Sequence, residues 1–321
     1  MTKVAITDYT FPDLSVELGI LQPHGCEVVS GQCKTTEALI ALTSDADHVI
    51  TQFAPVNADV INAMRRSKII VRYGVGYDNV DLNAAKAKGI PVCNIPTFCI
   101  DEVADHTLGF ILSLTRHLRA NCGMMVGGKW GLAVPLSSMK ALRHLTVGIV
   151  GFGRIGQAVA ERLKPFKCAM LVSDPITSAS QAESFGAKKV ELSKLLQASD
   201  IVSLHCPSSK ETRGLINTQS IQQMRPGSIL INVGRGDLVK TDDLLAALQS
   251  GHISAAGLDV FEVEPLPANH PLTKMDNVIT TSHIASASVN AARTLRESAA
   301  NLVVMSMRGE PLPNIVNGVQ A

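Results

Sequence analysis

Short apolar runs alternate with amphipathic stretches through residues 1–98. Lys3–Thr7, Glu27–Ser30, His48–Thr51, Lys68–Arg72 and Pro91–Asn94 read as strands, and Thr35–Leu42, Asn57–Met64 and Leu82–Lys88 as helices between them. Such alternation predicts βαβ units and a parallel sheet. Gly89 follows the last of these helices, where a left-handed residue is expected to end it. From Asp101 to about Asn121, apolar residues recur at helical spacing (Val103, Leu108, Ile111, Leu112, Leu114, Leu118). Asp101 and Glu102 open this stretch and Arg116, His117 and Arg119 close it, as the helix dipole prefers, so one long helix is predicted. Gly123–Ser138, holding the single tryptophan, Trp130, reads as a loop. A second series of strands follows at Thr146–Val150, Ala169–Ser173, Ile201–Leu204, Ser228–Asn232, Ser254–Asp259 and Val278–Thr281, with a closing helix over Val289–Met307.

Composition narrows the class. At 321 residues the chain is comfortable for two domains, each with its own core. With 46% hydrophobic and 18% charged residues it is globular and not disordered. A net charge of +1 gives no footprint for nucleic acid or an anionic membrane. No apolar run approaches the ~18 residues of a membrane span; the best, Thr107–Leu114, stops at Arg116 and His117. Met1–Thr7 reads as a first strand and not a signal peptide. The seven cysteines are scattered and never spaced Cys-x-x-Cys, which points to reduced thiols in a cytoplasmic protein and to no metal site.

Candidate chemistry begins at the second series. The strand ending at Val150 runs into Gly151-Phe152-Gly153-Arg154-Ile155-Gly156 and then a helical pattern through Val159, Ala160 and Leu163. The first glycine permits the tight turn, the second a close approach of backbone to a pyrophosphate, the third close packing of helix on sheet. The helix N-terminus aims free N–H groups and its dipole at the phosphates. Asp174 ends the next strand about 20 residues on, where an acid takes the adenosine ribose hydroxyls. That carboxylate repels a 2′-phosphate, and residues 175–180 hold no Arg or Lys, so NAD is favoured over NADP.

Three later segments end strands: Asn232-Val233-Gly234-Arg235-Gly236-Asp237, Gly257-Leu258-Asp259-Val260-Phe261-Glu262-Val263-Glu264-Pro265, and Thr281-Ser282-His283-Ile284-Ala285-Ser286. Ligands of open α/β sheets lie at the carboxyl ends of strands, so an Arg, an acid and a His are expected on one edge. A guanidinium grips a carboxylate through two parallel hydrogen bonds. An imidazolium supplies the proton that a reduced ketone needs, and a neighbouring carboxylate orients such a ring and favours its charged form.

With the glycine fingerprint upstream, these segments resemble the D-isomer-specific 2-hydroxyacid dehydrogenase family over nearly the whole chain. The resemblance implies that Arg235 binds the substrate carboxylate and polarises the 2-oxo group, that His283 is the general acid–base, and that Glu264 pairs with it. It implies a Rossmann cofactor domain, residues 99–286, inserted into a flavodoxin-like substrate domain, residues 1–98 plus 287–321. Cys206, Pro207, Thr212, Val233 and Asp259 join the cofactor set, and a homodimer is expected through the exposed face of residues 101–145. Arg72-Tyr73-Gly74-Val75-Gly76-Tyr77-Asp78-Asn79 resembles the family's Gly-x-Gly-x-Asp-Asn loop, whose N–H groups at Val75 and Gly76 would receive the substrate carboxylate.

Phe98-Cys99-Ile100-Asp101-Glu102-Val103-Ala104-Asp105-His106, with Cys99-Ile100 for the common Asn-Thr and Asp105 for Glu, is similar to the branch holding the C-terminal-binding-protein corepressors and their bacterial dehydrogenase relatives. An NAD(H)-sensing binding protein with little turnover is therefore the alternative function. Phosphite oxidation is remoter, because Val75 stands where that activity uses Lys. Thr51-Gln52-Phe53-Ala54 lacks the Arg that phosphoglycerate dehydrogenases tend to carry, and Gln52, Phe53 and Tyr73 are expected to line the side-chain end of a pocket for a modest, uncharged substituent.

Overall fold

The computed structural model describes residues 1–320. The chain divides into two compact units, Met1–Cys99 with Ser288–Ala321, and Ile100–Ala287. Both are built on all-parallel sheets.

In the first unit β1 (Thr2–Ile6), β2 (Cys26–Ser30), β3 (His48–Thr51), β4 (Ile70–Arg72) and β5 (Val92–Cys93) lie in the order β2-β1-β3-β4-β5. The order reverses between β1 and β3, which is the flavodoxin-like arrangement. Alternate residues feed two cores. Val4, Ile6, Ile50 and Val71 meet Leu295, Ala299 and Val303 of the helix Val289–Arg308, while Ala5, Val49, Ile70 and Val92 meet Leu39, Val60 and Ile61. Burial on both faces is why these strands read as unbroken apolar runs. The helix Ser15–Leu21 packs against Val289–Arg308; the sequence pattern did not reveal it, being too short for a clear period.

The second unit orders β6 (Thr146–Val150), β7 (Ala169–Ser173), β8 (Lys188–Lys189), β9 (Ile201–Leu204), β10 (Ser228–Asn232), β11 (Ile253–Leu258) and β12 (Val278–Thr280) as β12-β11-β10-β9-β6-β7-β8. This is the doubly wound dinucleotide-binding order with its switch between β6 and β9. The strand β8, two lysines long, carries no apolar signal and escapes the sequence pattern.

The long helix expected over 101–121 is two helices, Ile100–Thr115 and Leu118–Val126. His117, in the left-handed region at φ 49°, breaks them, and no Gly or Pro marks the position. The expected loop accordingly starts after Val126, four residues later than its glycines imply. Gly257 is where Ile100–Thr115 touches the sheet: a Cβ there would lie 2.8 Å from the Phe110 ring, so only glycine admits the helix this close to β11.

Candidate active site

The fingerprint glycines separate by role. At Gly151 (φ 89°) a Cβ would sit 2.5 Å from the Cys206 amide, and at Gly156 one would sit 2.3 Å from the Gly151 carbonyl. Both glycines are demanded by backbone packing. Beside Gly153 there is nothing within 4 Å, and this residue caps the helix Arg154–Leu163 without any side-chain cap. The first N–H groups of that helix, at Arg154, Ile155 and Gly156, thus face a site with room for phosphate oxygens, and the donor set fits a dinucleotide.

Asp174 does two things at once. Its carboxylate accepts from the Phe152 N–H at 2.8 Å and from the Ile176 and Thr177 N–H groups at 2.8 Å each. Partial burial opposes its charge, but these N–H donors prevail and hold its pKa below the ordinary value. An ionised carboxylate only accepts hydrogen bonds, which is the role a ribose hydroxyl donor requires of it. Cys206 packs at the Gly151 turn, its thiol pushed up to about 11 by burial, and Val233 is buried at the end of β10. The Thr212 hydroxyl is occupied locally, donating to the Pro207 carbonyl at 2.6 Å and accepting from the Ser209 N–H at 2.8 Å.

Arg235, Glu264 and His283 follow β10, β11 and β12 and meet at the carboxyl edge of the sheet. Asn232 shapes the first turn, its amide donating to the Arg235 carbonyl at 2.8 Å and accepting from the Gly234 N–H at 3.1 Å. A Cβ on Gly236 would fall 1.9 Å from the Phe261 carbonyl carbon, so the turn bearing Arg235 lies flat against the turn bearing Glu264. Glu264 accepts from the Phe261 N–H at 2.9 Å through one oxygen and meets His283 Nδ1 at 2.8 Å through the other. Burial alone would raise the Glu264 pKa; the hydrogen bond and charge of His283, the Phe261 N–H and the charge of Arg235 overturn this and hold it low.

His283 sits at φ 56°, a region that a residue with a Cβ enters at a cost of about 1–2 kcal/mol. Asp259 holds it there. Its carbonyl accepts the His283 N–H at 2.8 Å, and its carboxylate accepts from Ile284 N and Ala285 N at 2.9 Å each and from the Thr281 hydroxyl at 2.6 Å. Asp259 is 1% exposed. Expected beside the cofactor, it is found wrapped by the histidine loop.

In the first unit, Gly74 (φ 143°) opens the Val75–Gly76 loop, and the Arg72 guanidinium fills the space where its Cβ would be. Arg72 is buried and lies 5.5 Å over the Phe53 ring, which places positive charge beside the loop. The Asn94 amide donates to the Val75 carbonyl at 2.6 Å. Gln52 and Tyr73 are not pocket-lining as expected. Tyr73 is 1% exposed, its hydroxyl donating to buried Glu17 at 2.9 Å, and Gln52 is buried with its amide on Thr10. The alternation of β4 and its extension turns Tyr73 inward; Phe53 alone of the three projects, at 46% exposure. Asp8, which no motif marks, accepts from Gln52 N, Phe53 N and Ala54 N at 2.9, 2.6 and 3.1 Å and sets that loop.

A Rossmann sheet whose carboxyl edge carries an Arg, an acid and a His defines a nicotinamide-dependent dehydrogenase. The model of the D-isomer specific 2-hydroxyacid dehydrogenase NAD binding domain matches residues 108–285. The chain is 38% identical over 301 residues to a glyoxylate reductase of Thermofilum pendens, covering 91% of this chain and 88% of that one. It is 36% identical over 298 residues to a D-3-phosphoglycerate dehydrogenase of Archaeoglobus fulgidus, covering 92% and 56%. The structure of D-lactate dehydrogenase from Aquifex aeolicus, complexed with NAD and lactic acid, matches with a TM-score of 0.86 at 29% identity, covering 96% of each chain. The chain belongs to the D-isomer specific 2-hydroxyacid dehydrogenase family, and it is an NAD-dependent oxidoreductase of the 2-oxo acid and D-2-hydroxy acid pair.

Proposed function

We propose that the protein reduces a small 2-oxo acid with an uncharged substituent, glyoxylate first among them, with Arg235, Glu264 and His283 as the catalytic set. The pairing of His283 Nδ1 with Glu264 at 2.8 Å carries this reading, because it fixes the ring through Nδ1 and so assigns the proton transfer to Nε2. When bound, NADH supplies the hydride. Arg235 holds the carboxylate and draws electron density from the 2-oxo group, and His283 Nε2 gives its proton to the developing alkoxide. Glu264, kept ionised, stabilises the charged ring before transfer. For the first unit, we propose that the N–H groups of Val75 and Gly76 receive a carboxylate, with Arg72 adding positive potential. Phe53 is the side chain proposed to meet the substituent. The names of several relatives, glyoxylate reductases of Thermofilum pendens, Korarchaeum cryptofilum and Pyrococcus furiosus, support the small-substrate reading.

A steady-state screen of glyoxylate, pyruvate, hydroxypyruvate and branched or aromatic 2-oxo acids, with NADH and with NADPH, tests the proposal. His283→Gln should lower turnover by about 10² or more and spare NADH binding. Tight NADH binding without turnover on any of these acids would return the chain to the sensing reading. We further propose a cytoplasmic homodimer. Leu118, Met125, Val126, Trp130, Leu132 and Leu136 are all at least 48% exposed, an apolar surface within the face expected to pair. Sedimentation equilibrium measures that state.

A further inference from the structure

We infer that His106 is a positioning residue for His283, acting through the Thr281 hydroxyl and the Asp259 carboxylate. The inference rests on the reading of His283 as the proton donor. His106 lies on the helix Ile100–Thr115, far from the His283 segment in sequence.

The hydrogen-bond inventory fixes how the three groups connect. Thr281 has one hydroxyl proton, and it goes to Asp259 Oδ1 at 2.6 Å. The contact of 3.1 Å between Thr281 Oγ1 and His106 Nε2 is then a hydrogen bond only if the proton sits on Nε2. His106 donates, Thr281 relays, Asp259 receives. His106 Nε2 also lies 4.0 Å from Asp259 Oδ1, so the donor end of the ring faces the buried carboxylate directly. The ring is seated edge-on to Phe110, centroids 4.5 Å apart, and Phe110 is the residue that the missing Cβ of Gly257 lets down onto β11.

Asp259 needs this support because of what it does next. The same carboxylate takes Ile284 N and Ala285 N while its backbone carbonyl takes His283 N, and these bonds bend residues 283–285 around it. They hold His283 in its left-handed conformation, which keeps Nδ1 on Glu264. Without the donor from the helix, Thr281 is released to turn its proton elsewhere, and Asp259 loses a side-chain donor that no nearby N–H replaces. The His283 loop can then relax toward ordinary backbone angles, and the ring leaves Glu264.

The test uses the whole protein with NADH and the best 2-oxo acid of the screen. His106→Leu keeps the apolar seat on Phe110 and removes the donor; kcat should fall about tenfold, with KM and NADH affinity within about twofold. His106→Gln, whose amide reaches the place of Nε2, should recover kcat to within about threefold of wild type. Thr281→Val should match His106→Leu, and the double variant should be no worse than either alone, as expected for one chain of bonds. Unchanged kcat in His106→Leu, additive losses in the double variant, or a Gln variant as slow as Leu would each overturn the inference. Proton NMR separates this from failure of the functional reading. The downfield Nδ1–H resonance of the His283–Glu264 pair should be present in wild type and in His106→Gln and be lost in His106→Leu, whether or not any acid is turned over. Its persistence in His106→Leu also overturns the inference.

Discussion

The two units solve the same problem in opposite ways. In Ile100–Ala287 the proposed chemistry is offered by side chains, held by the flat turn at Gly236, the left-handed backbone at His283, and the carbonyl and buried carboxylate of Asp259. In Met1–Cys99 the proposed binding groups are backbone N–H groups at Val75 and Gly76, and side chains hold them: Arg72 under Gly74, Asn94 on the Val75 carbonyl, Asp8 across Gln52–Ala54. Side chains that react must be aimed, so the chain beneath them is rigid. N–H groups that only bind need a loop of set shape, and buried polar side chains supply it. Damage to the second unit should therefore appear in kcat, and damage to the first in KM and in stability.

The strongest way to break this contrast is Arg235→Lys. It keeps the charge and loses the planar fork, and kcat/KM should fall by about 10²–10³ with the melting temperature unchanged. A change below about fivefold would mean that the side chain is not what that turn offers. Asp8→Asn probes the other pattern. It weakens the clamp on Gln52–Ala54, and the expected outcome is a KM raised about tenfold and a stability loss of about 2 kcal/mol by urea unfolding, with kcat within about threefold. A kcat defect with normal KM would reverse the assignment of the two units.

A further effect concerns acidification of the first unit. Buried His48, with neither ring nitrogen bonded among the described residues, has its pKa lowered from 6.5 to about 4, chiefly by burial and also by Lys68, against the opposing charge of Asp47. The unfolded imidazole takes up its proton near 6.5 and the folded one only near 4, so the unfolded state binds more protons between those values. Stability is intact above that window and falls as the pH drops through it, by up to about 3 kcal/mol. His48→Leu should flatten that decline in urea titrations between about pH 7 and 4.5. An unchanged slope would mean that His48 is not the source of the acid sensitivity.

The same contrast explains what the sequence made legible. Both sheets, the glycine turn and the Arg, Glu and His segments are written in local patterns: apolar runs buried on two faces, glycines at fixed spacing, polar residues just past strand ends. The supports are not. Asp8 reaches loop residues more than forty positions away, Arg296 reaches Glu17 across the length of the first unit, and His106 meets Thr281 only because Phe110 fits over Gly257. Tyr73 was expected in the pocket because it adjoins the glycine loop, yet the strand's alternation points it at Glu17. The left-handed turn at His117 has no sequence signature, so the helix break there was invisible.

The missing Cβ of Gly236 has a consequence for redesign. Because the turns after β10 and β11 share that contact, they behave as a single part: lengthening or reshaping either one displaces both Arg235 and Glu264. Substrate range is therefore poorly altered from this side. The Phe53 loop is held through backbone groups, its N–H groups on Asp8 and its Gln52 and Ala54 carbonyls on Asn79, while the half-exposed Phe53 ring lies against Arg72, so a library at that one position is where new specificities should be sought.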